Sequence, residues 1–157
     1  MSKSLKRVET ALADLGLDAR VLEMPGETRT AEQAAAEAGC ALDQIVKSII
    51  FRGHDSDAAI LFLTAGGNQV DPARARTVAG EDLDRADAAF VRARTGFAIG
   101  GVAPVGHLTP PRVFADPRLM AFDVVWAAAG TPRHIFSCAP GPLLAAVGAP
   151  LAEFVSV

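Results

Sequence analysis

Two features of the sequence have the residue types needed to bind and activate a ligand: a glycine-rich segment and one lysine. The segment Thr95–His107 reads TGFAIGGVAPVGH, with four glycines and one proline among apolar residues. This composition predicts a backbone that bends and lies open while its flanks are buried. Such a bend can present N–H groups to a ligand oxygen. It can equally serve as a tight turn between two core strands, and composition alone fits both interpretations.

The lysine is Lys47, which interrupts the apolar run Val46–Phe51. An unpaired ammonium group inside an apolar core is costly. The side chain must therefore extend to solvent, pair with a carboxylate, or point into a wet cavity. The last of these would make Lys47 a candidate ligand-binding group.

Four segments resemble motifs of the YbaK/ProX family, the bacterial trans-editing domains related to the insertion domain of prolyl-tRNA synthetase. Gly100–Pro104 reads GGVAP and resembles the family's GXXXP loop, and Gln44–Phe51 (QIVKSIIF) resembles its lysine-bearing strand. Val124–Gly130 (VVWAAAG), followed by His134, resembles a third family motif. Together with Thr30–Ala36 (TAEQAAA), these segments follow the family's order over about residues 5 to 150. The chain is therefore identified as a member of this family.

The resemblance implies a trans-editing hydrolase that deacylates mischarged aminoacyl-tRNA. The expected substrate is Cys- or Ala-tRNA with a proline acceptor, and the expected partners are the 3′ end of that tRNA and prolyl-tRNA synthetase. In this family the substrate is thought to assist its own hydrolysis through its side chain or a ribose hydroxyl, and no cofactor is implied. The alternative is a non-catalytic protein that binds a nucleotide or aminoacyl-tRNA, or regulates a synthetase.

The resemblance also assigns roles to individual residues. Lys47 is expected to bind a phosphate or the ester carbonyl, or to position water. The N–H groups of Gly100, Gly101 and Val102 are suited to hold the carbonyl oxygen or the ribose, since such donors stabilise oxyanions. The remaining expected substrate contacts are Arg29, Thr30, Pro104, Gly130 and His134.

Two residues near these motifs have simpler interpretations, and the glycine loop departs from the family pattern at one position. Thr30, followed by Gln33, forms a capping-box pattern and predicts a helix start whether or not it contacts substrate. His107 lies beside a proline-rich segment, and we expect a hydrogen-bonded turn residue rather than a general base. The family's usual Ser-Pro in the glycine loop is replaced here by Ala103 and Pro104, which removes a hydroxyl and leaves the amino-acid specificity open.

The composition limits the class of protein. The 157 residues predict one domain over 1–157, and 50% hydrophobic against 21% charged residues argue against disorder. A net charge of −3 argues against duplex DNA as a partner. Arg29, Lys47, Arg92 and Arg94 are either a local basic patch for an RNA end or solvated surface.

Cellular location and metal binding are also constrained by the residue pattern. No apolar run is long enough for a membrane span, and the N-terminal residues lack the apolar region of a secretory signal. We therefore expect a cytoplasmic protein that does not bind membranes.

Cys40 and Cys138 are far apart and lack the spacing of metal ligands, so we expect buried, inert thiols and no metal site.

The hydrophobic periodicity predicts an α+β fold. The predicted elements are helices over 3–15, 31–38, 72–79 and 141–147, strands over 18–23, 46–51, 58–64, 89–93, 113–115, 123–128 and 133–138, and a helical turn over 81–88. Asp71 is predicted to cap the helix that begins at Pro72. Five to seven short strands joined mainly by hairpins indicate a mixed sheet curled toward a barrel. The resemblance implies the same architecture, a YbaK-like, mainly antiparallel sheet flanked by helices.

Overall fold

A computed structural model describes residues 2–157, so Met1 of the predicted domain lies outside the described residues. The α-helices are α1 (Lys3–Asp14), α2 (Ala31–Ala38), α3 (Pro72–Ala79), α4 (Ala88–Thr95) and α5 (Pro140–Ala146). The strands are β1 (Arg20–Glu23), β2 (Ile45–Gly53), β3 (Ala59–Ala65), β4 (Leu83–Arg85), β5 (Arg112–Ala115), β6 (Val125–Thr131) and β7 (His134–Cys138). Within this range, no helix has the length and apolar character to cross a bilayer.

The strands form one mixed sheet in the order β1-β7-β6-β2-β3-β5, with β4 pairing beside this path. The β1–β7, β2–β3, β2–β4 and β6–β7 pairs are antiparallel, whereas β2–β6 and β3–β5 are parallel. The predicted α+β fold with a mainly antiparallel mixed sheet is therefore confirmed. Over residues 2–157, no strand ladder joins β1 to β5, so the sheet remains open there.

The central strand β2 has one edge that is only partly paired. β3 covers its other edge along most of its length. On the partly paired edge, β6 contacts Ile45 and Val46, and β4 contacts the end of the strand from Phe51 to Gly53. Residues 47–50 lie between these two neighbours and pair with neither of them. We call this interruption the β2 gap (residues 47–50).

The two faces of β2 contact different parts of the core, since side chains alternate along a strand. Val46 and Ile50 pack with α1 and with Phe97 in the largest cluster. On the opposite face, Ile49 and Phe51 pack in a second cluster with Phe62, Phe154 and residues of α3. Because both faces are covered, a ligand can approach β2 most readily through the open part of its edge.

The structure reverses two neighbouring predictions. The segment 81–88 was predicted as a helical turn but contains β4, and 89–93 was predicted as a strand but lies in α4. Asp87 explains the helix, because its side chain caps α4 by accepting a hydrogen bond from Phe90 N at 2.8 Å. Gly96 ends the helix in the left-handed conformation. The strand prediction over 89–93 was wrong because its short Ala-Phe-Val run fits both the helical and the strand period of hydrophobic residues.

Replacement of Asp87 by alanine tests this account of α4. The Asp87→Ala variant loses the helix cap, and we expect the free energy of unfolding to fall by about 1 kcal/mol. Denaturant unfolding followed by circular dichroism measures the change. Asp18→Ala, at an exposed aspartate, is the control and should change stability by less than about 0.5 kcal/mol. Equal stability of the two variants would contradict the capping role.

Candidate functional site

A cavity of about 490 Å³ lies where β2, the start of α2 and the glycine loop meet. Its walls include residues 28–32, residues 45–50, three residues of the glycine loop (Ile99, Gly100 and Val102) and residues 126–128 of β6. This volume falls within the range of small-ligand sites. The cavity therefore brings the lysine strand, the glycine loop and the Thr30 segment to one place.

The predicted site residues divide into two groups by position. Those that line the cavity are Arg29, Thr30, Lys47, Gly100 and Val102. Those that do not line it are Gly101, Pro104, Gly130 and His134. The first group can contact a ligand in the cavity directly, whereas the second group could act only from its surroundings.

Lys47 lies on the cavity wall and is anchored by a carbonyl group. Its Nζ donates a hydrogen bond to the backbone oxygen of Asn68 at 2.5 Å. Burial lowers the pKa of Lys47, and the negative charges of Glu32, Asp116 and Asp43 offset part of this effect. Of the three sequence-based alternatives, the wet cavity describes this placement best, because the ammonium group stays at the cavity and is held by a neutral acceptor.

A buried carboxylate, Asp116, holds the segment that anchors Lys47. Asp116 is only 2% exposed. Its Oδ2 accepts hydrogen bonds from Asn68 Nδ2 at 2.8 Å and Ala65 N at 3.1 Å, and its Oδ1 accepts one from Arg118 N at 2.9 Å. Asp116 therefore fixes Asn68, whose carbonyl fixes Lys47.

Sequence reasoning missed this chain of contacts. The sequence analysis gave no functional role to residues 65–69 or to Asp116. The available signal was a carboxylate directly after the apolar strand residues Val113–Ala115. Nothing local in the sequence pairs Asp116 with Asn68, because the two are 48 positions apart.

The glycine loop follows a helix, not a strand, and α1 holds it in place. Arg7 donates from Nε to the Gly106 carbonyl at 2.6 Å, and its guanidinium lies 4.7 Å from the centre of the Phe97 ring. His107 Nε2 donates to the Ala103 carbonyl at 2.6 Å. These contacts agree with the predicted turn role of His107, whereas the sequence analysis gave Arg7 no role at the loop.

The N–H groups of the loop are not equivalent. Gly101 N donates to the Ala98 carbonyl at 3.1 Å, so this N–H stabilises the bend itself. Among the described residues, the N–H groups of Gly100 and Val102 have no protein acceptor. Since both residues line the cavity, these two N–H groups remain available for a ligand. An oxyanion role for Gly101 stays a prediction.

The Thr30 segment combines capping with access to the cavity. Gln33 N donates to Thr30 Oγ1 at 3.1 Å, and Gln33 Oε1 accepts from Thr30 N at 3.3 Å, which confirms the predicted capping box. Arg29 is half-exposed, and its Nε lies 3.2 Å from Glu27 Oε2. A Cβ on Gly100 would lie 3.4 Å from the Arg29 side chain, so Arg29 covers the glycine loop at the cavity rim.

Gly130, His134 and Pro104 have structural surroundings that account for them. Gly130 is buried with φ +95°, and a Cβ there would lie 2.9 Å from the Ser4 carbonyl oxygen. The Nδ1 atom of His134 lies 2.6 Å from Thr131 Oγ1. Pro104 is buried in the loop. Their substrate contacts stay predictions.

The predicted basic patch is only partly assembled. Arg94 pairs with Asp57 at 2.9 Å, and neither Arg92 nor Arg94 lines the cavity. Among the described residues, the positive charges at the cavity are therefore those of Lys47 and Arg29.

The two cysteines differ in exposure. Cys138 is buried, as predicted, and burial raises the pKa of its thiol to about 11, so the thiol is protonated near neutral pH. Cys40 was also predicted to be buried but is only partly buried.

We expect Asp116→Ala to destabilise the protein strongly. The substitution leaves the buried Ala65 N–H and the half-buried Asn68 Nδ2 without their shared acceptor, so the free energy of unfolding should fall by about 3 kcal/mol. Chemical denaturation measures this loss. The exposed Asp123 provides the matched control Asp123→Ala. A loss no larger than that of the control would show that the Asp116 network does not stabilise the fold.

His107 makes stability depend on pH. Burial, together with the positive charge of Arg7, lowers the pKa of His107, although the hydrogen bond to Ala103 opposes this shift. As pH falls below about 6.5, the unfolded chain therefore takes up this proton first. We expect the free energy of unfolding of the wild type to fall as the pH drops below that value. The fall should be smaller in His107→Gln.

The measurement is denaturant unfolding of both proteins between about pH 7.5 and about pH 5.5. The difference between the two free energies of unfolding removes the contribution of His54, which both proteins share. That contribution has the opposite sign, because Asp84 raises the pKa of His54. Parallel stability profiles of the wild type and His107→Gln would contradict the burial of a neutral imidazole.

Comparison with known proteins identifies the family. Residues 25–145 match the model of the aminoacyl-tRNA editing domain. An uncharacterised Bacillus subtilis (strain 168) protein, YwhH, is 34% identical over 89% of this chain and 88% of its own length. A crystal structure of a candidate trans-editing enzyme for prolyl-tRNA synthetase is 44% identical, with a TM-score of 0.93 over 100% of this chain and 99% of that one. A scaffold protein used for computational epitope grafting is 43% identical over the full length of both chains, with a TM-score of 0.92. The chain belongs to the YbaK-like family of aminoacyl-tRNA editing domains.

Proposed function

We propose that this protein is a trans-editing hydrolase that removes a wrongly attached amino acid from tRNA. The observation that carries the proposal is the shared cavity, which is lined by Lys47 and by Gly100 and Val102, two loop residues whose N–H groups have no acceptor among the described residues. The similarity to a candidate trans-editing enzyme for prolyl-tRNA synthetase supports a tRNA with a proline acceptor as substrate. It also supports prolyl-tRNA synthetase as a partner. The proposed amino acid, cysteine or alanine, rests on the family resemblance.

In the proposed reaction, water attacks the carbonyl carbon of the aminoacyl ester. The bond from that carbon to the ribose oxygen breaks, the ribose oxygen receives a proton, and the free amino acid leaves as a carboxylic acid that ionises. Negative charge develops on the carbonyl oxygen during the attack. The N–H groups of Gly100 and Val102 can stabilise it, and a well-placed donor of this kind contributes about 3 kcal/mol. Gly101 shapes the bend through its bond to Ala98.

Lys47 acts as a cation and not as the general base. An ammonium group has three N–H donors, and Asn68 accepts from one of them. The others can bind the ester carbonyl or a phosphate of the tRNA end, or position the attacking water. The cation also favours the transition state, since its charge lies beside the developing oxyanion.

The proton acceptor is proposed to come from the substrate. Among the described residues, no histidine lines the cavity, and the one carboxylate on its wall, Glu32, interacts with the charge of Lys47. His107 Nε2 is committed to Ala103, and His134 lies outside the cavity wall. A ribose hydroxyl or the side chain of the attached amino acid can orient the water instead. Arg29 and Thr30, at the rim, are proposed to hold the tRNA end.

The cavity is suited to a small amino acid but does not select one strongly. The side chains of Ile45, Ile50, Val91 and Trp126 make much of its wall apolar. In apolar pockets one methylene changes binding by only about 1 to 3 kcal/mol. Ala103, which replaces the family's serine, is fully buried and does not line the cavity, so this replacement leaves the wall unchanged.

Deacylation of Cys-, Ala-, Ser- and Pro-tRNA by the wild type and by Lys47→Ala tests the proposal. We expect the wild type to hydrolyse Cys- or Ala-tRNA carrying the proline anticodon and acceptor. Loss of the cation should slow the single-turnover rate by about 100-fold. Release of the labelled amino acid at fixed low salt is the measurement.

Lys6→Ala, at an exposed lysine of α1, is the matched control and should retain the wild-type rate. If Lys6→Ala and Lys47→Ala are equally active, the role of Lys47 is wrong. If no aminoacyl-tRNA in the panel is hydrolysed while the wild type still binds it, the protein is a binding module of this family.

A further inference from the structure

The β2 gap exposes backbone hydrogen-bonding groups to the cavity. Gly53 N donates toward β3, to Ala58 O at 2.9 Å, and His54 N donates toward β4, to Asp82 O at 2.9 Å. Groups on a strand alternate between its two edges, and the β2–β3 register is unbroken from Val46 to Arg52. The N–H and C=O of Ser48 and the N–H of Ile50 therefore point to the gap edge.

Among the described residues, these three groups have no partner. Ser48 and Ile50 pair only with β3, on the opposite edge of β2, and no side chain bonds to their main-chain atoms. The Ser48 hydroxyl is also buried without a hydrogen-bond partner. Polar groups left unpaired in this way cost stability unless a ligand or water satisfies them. Both residues line the cavity, so a cavity ligand can reach them.

The order of these groups specifies the complementary ligand. Along the gap edge the Ser48 C=O, an acceptor, is followed by the Ile50 N–H, a donor. A planar ring with a donor next to an acceptor fits this pair. The Watson–Crick edge of adenine has that pattern, with the N6 amino group as donor and N1 as acceptor. Hypoxanthine, the base of inosine, presents the reverse pattern.

We propose that the β2 gap binds the adenine ring of the terminal nucleotide of the substrate. Ser48 C=O accepts from N6–H, and Ile50 N–H donates to N1. This inference rests on the proposed function, because the aminoacyl ester of every tRNA is carried by a 3′-terminal adenosine. Apolar side chains at the same cavity, including Ile99 and Val102, supply contacts for the ring faces.

In this placement, one small cavity contacts both the base and the aminoacyl ester of the terminal nucleoside. The base lies against the strand edge, and the ester extends toward Lys47 and the N–H groups of Gly100 and Val102. Lys47 directly precedes Ser48, so the groups that recognise the base and the ester are fixed by the same strand. Recognition of adenine then positions the ester without a contact to the nucleotides that distinguish one tRNA from another.

Binding of stable nucleosides tests the inference without requiring turnover. The probes are 3′-deoxy-3′-(L-alanylamino)adenosine and its inosine, 1-deazaadenosine and 7-deazaadenosine counterparts, measured by calorimetry on the full chain. We expect the inosine and 1-deaza probes to bind at least about tenfold more weakly than the adenosine probe, because they lose or reverse these bonds. The 7-deaza probe is the control and should bind within about twofold of adenosine, since N7 lies on another edge of the ring.

Amide hydrogen exchange gives a second measurement on the same complex. In the free protein, Ile50 N–H should exchange faster than Ile49 N–H, which points to the β3 ladder. The adenosine probe should slow exchange of Ile50 by about tenfold or more, whereas the inosine probe should not. Ile49 should be unaffected by either probe.

Equal affinity for all four probes, or no binding of the adenosine probe, would overturn the assignment of the gap to adenine. The proposed function fails differently. If adenine preference persists but no aminoacyl-tRNA is hydrolysed, the adenine site stands and the hydrolase proposal is wrong. If tRNA ending in inosine is hydrolysed as fast as tRNA ending in adenosine, the hydrolase stands and the adenine site is wrong.

Discussion

The anchoring of a half-buried ammonium group is the constraint on which this site depends. Lys47 lies on a strand whose two faces pack in the core, so its charge must remain at the cavity. The Asn68 carbonyl holds it, and the buried Asp116 holds Asn68. A neutral acceptor leaves the positive charge of Lys47 uncancelled at short range. The charge is therefore available to a substrate, which a tight carboxylate pair would prevent.

The sheet topology makes the cavity possible. Because β6 and β4 share one edge of β2 but contact different residues, the strand is rigidly held at both ends and open in the middle. The glycine loop lies over this opening and is fixed from α1 by Arg7. These contacts hold Lys47 and the glycine loop at one cavity, and groups positioned before the reaction are what electrostatic stabilisation of a transition state requires.

Local patterns predicted much of this fold. The capping box at Thr30, the Asp71-Pro72 start of α3 and the apolar runs of β2 and β3 each depend on neighbouring residues, and the structure contains all of them. Where local patterns were ambiguous, as in the Ala-Phe-Val run of α4, the prediction failed. The Arg7–Gly106 contact spans 99 positions, so no local pattern indicates it. Lys47 and the glycine loop were linked by family resemblance, since their spacing alone does not place them together.

The central claim is that the cavity holds the aminoacyl ester between Lys47 and the glycine loop. A crystal structure of the protein with 3′-deoxy-3′-(L-alanylamino)adenosine tests it most directly, because the amide carbonyl replaces the ester carbonyl. The account predicts that this oxygen lies about 3 Å from the N–H groups of Gly100 or Val102, with Lys47 Nζ facing the same group. A carbonyl oxygen directed to solvent, or an analogue bound outside the cavity, would contradict the account.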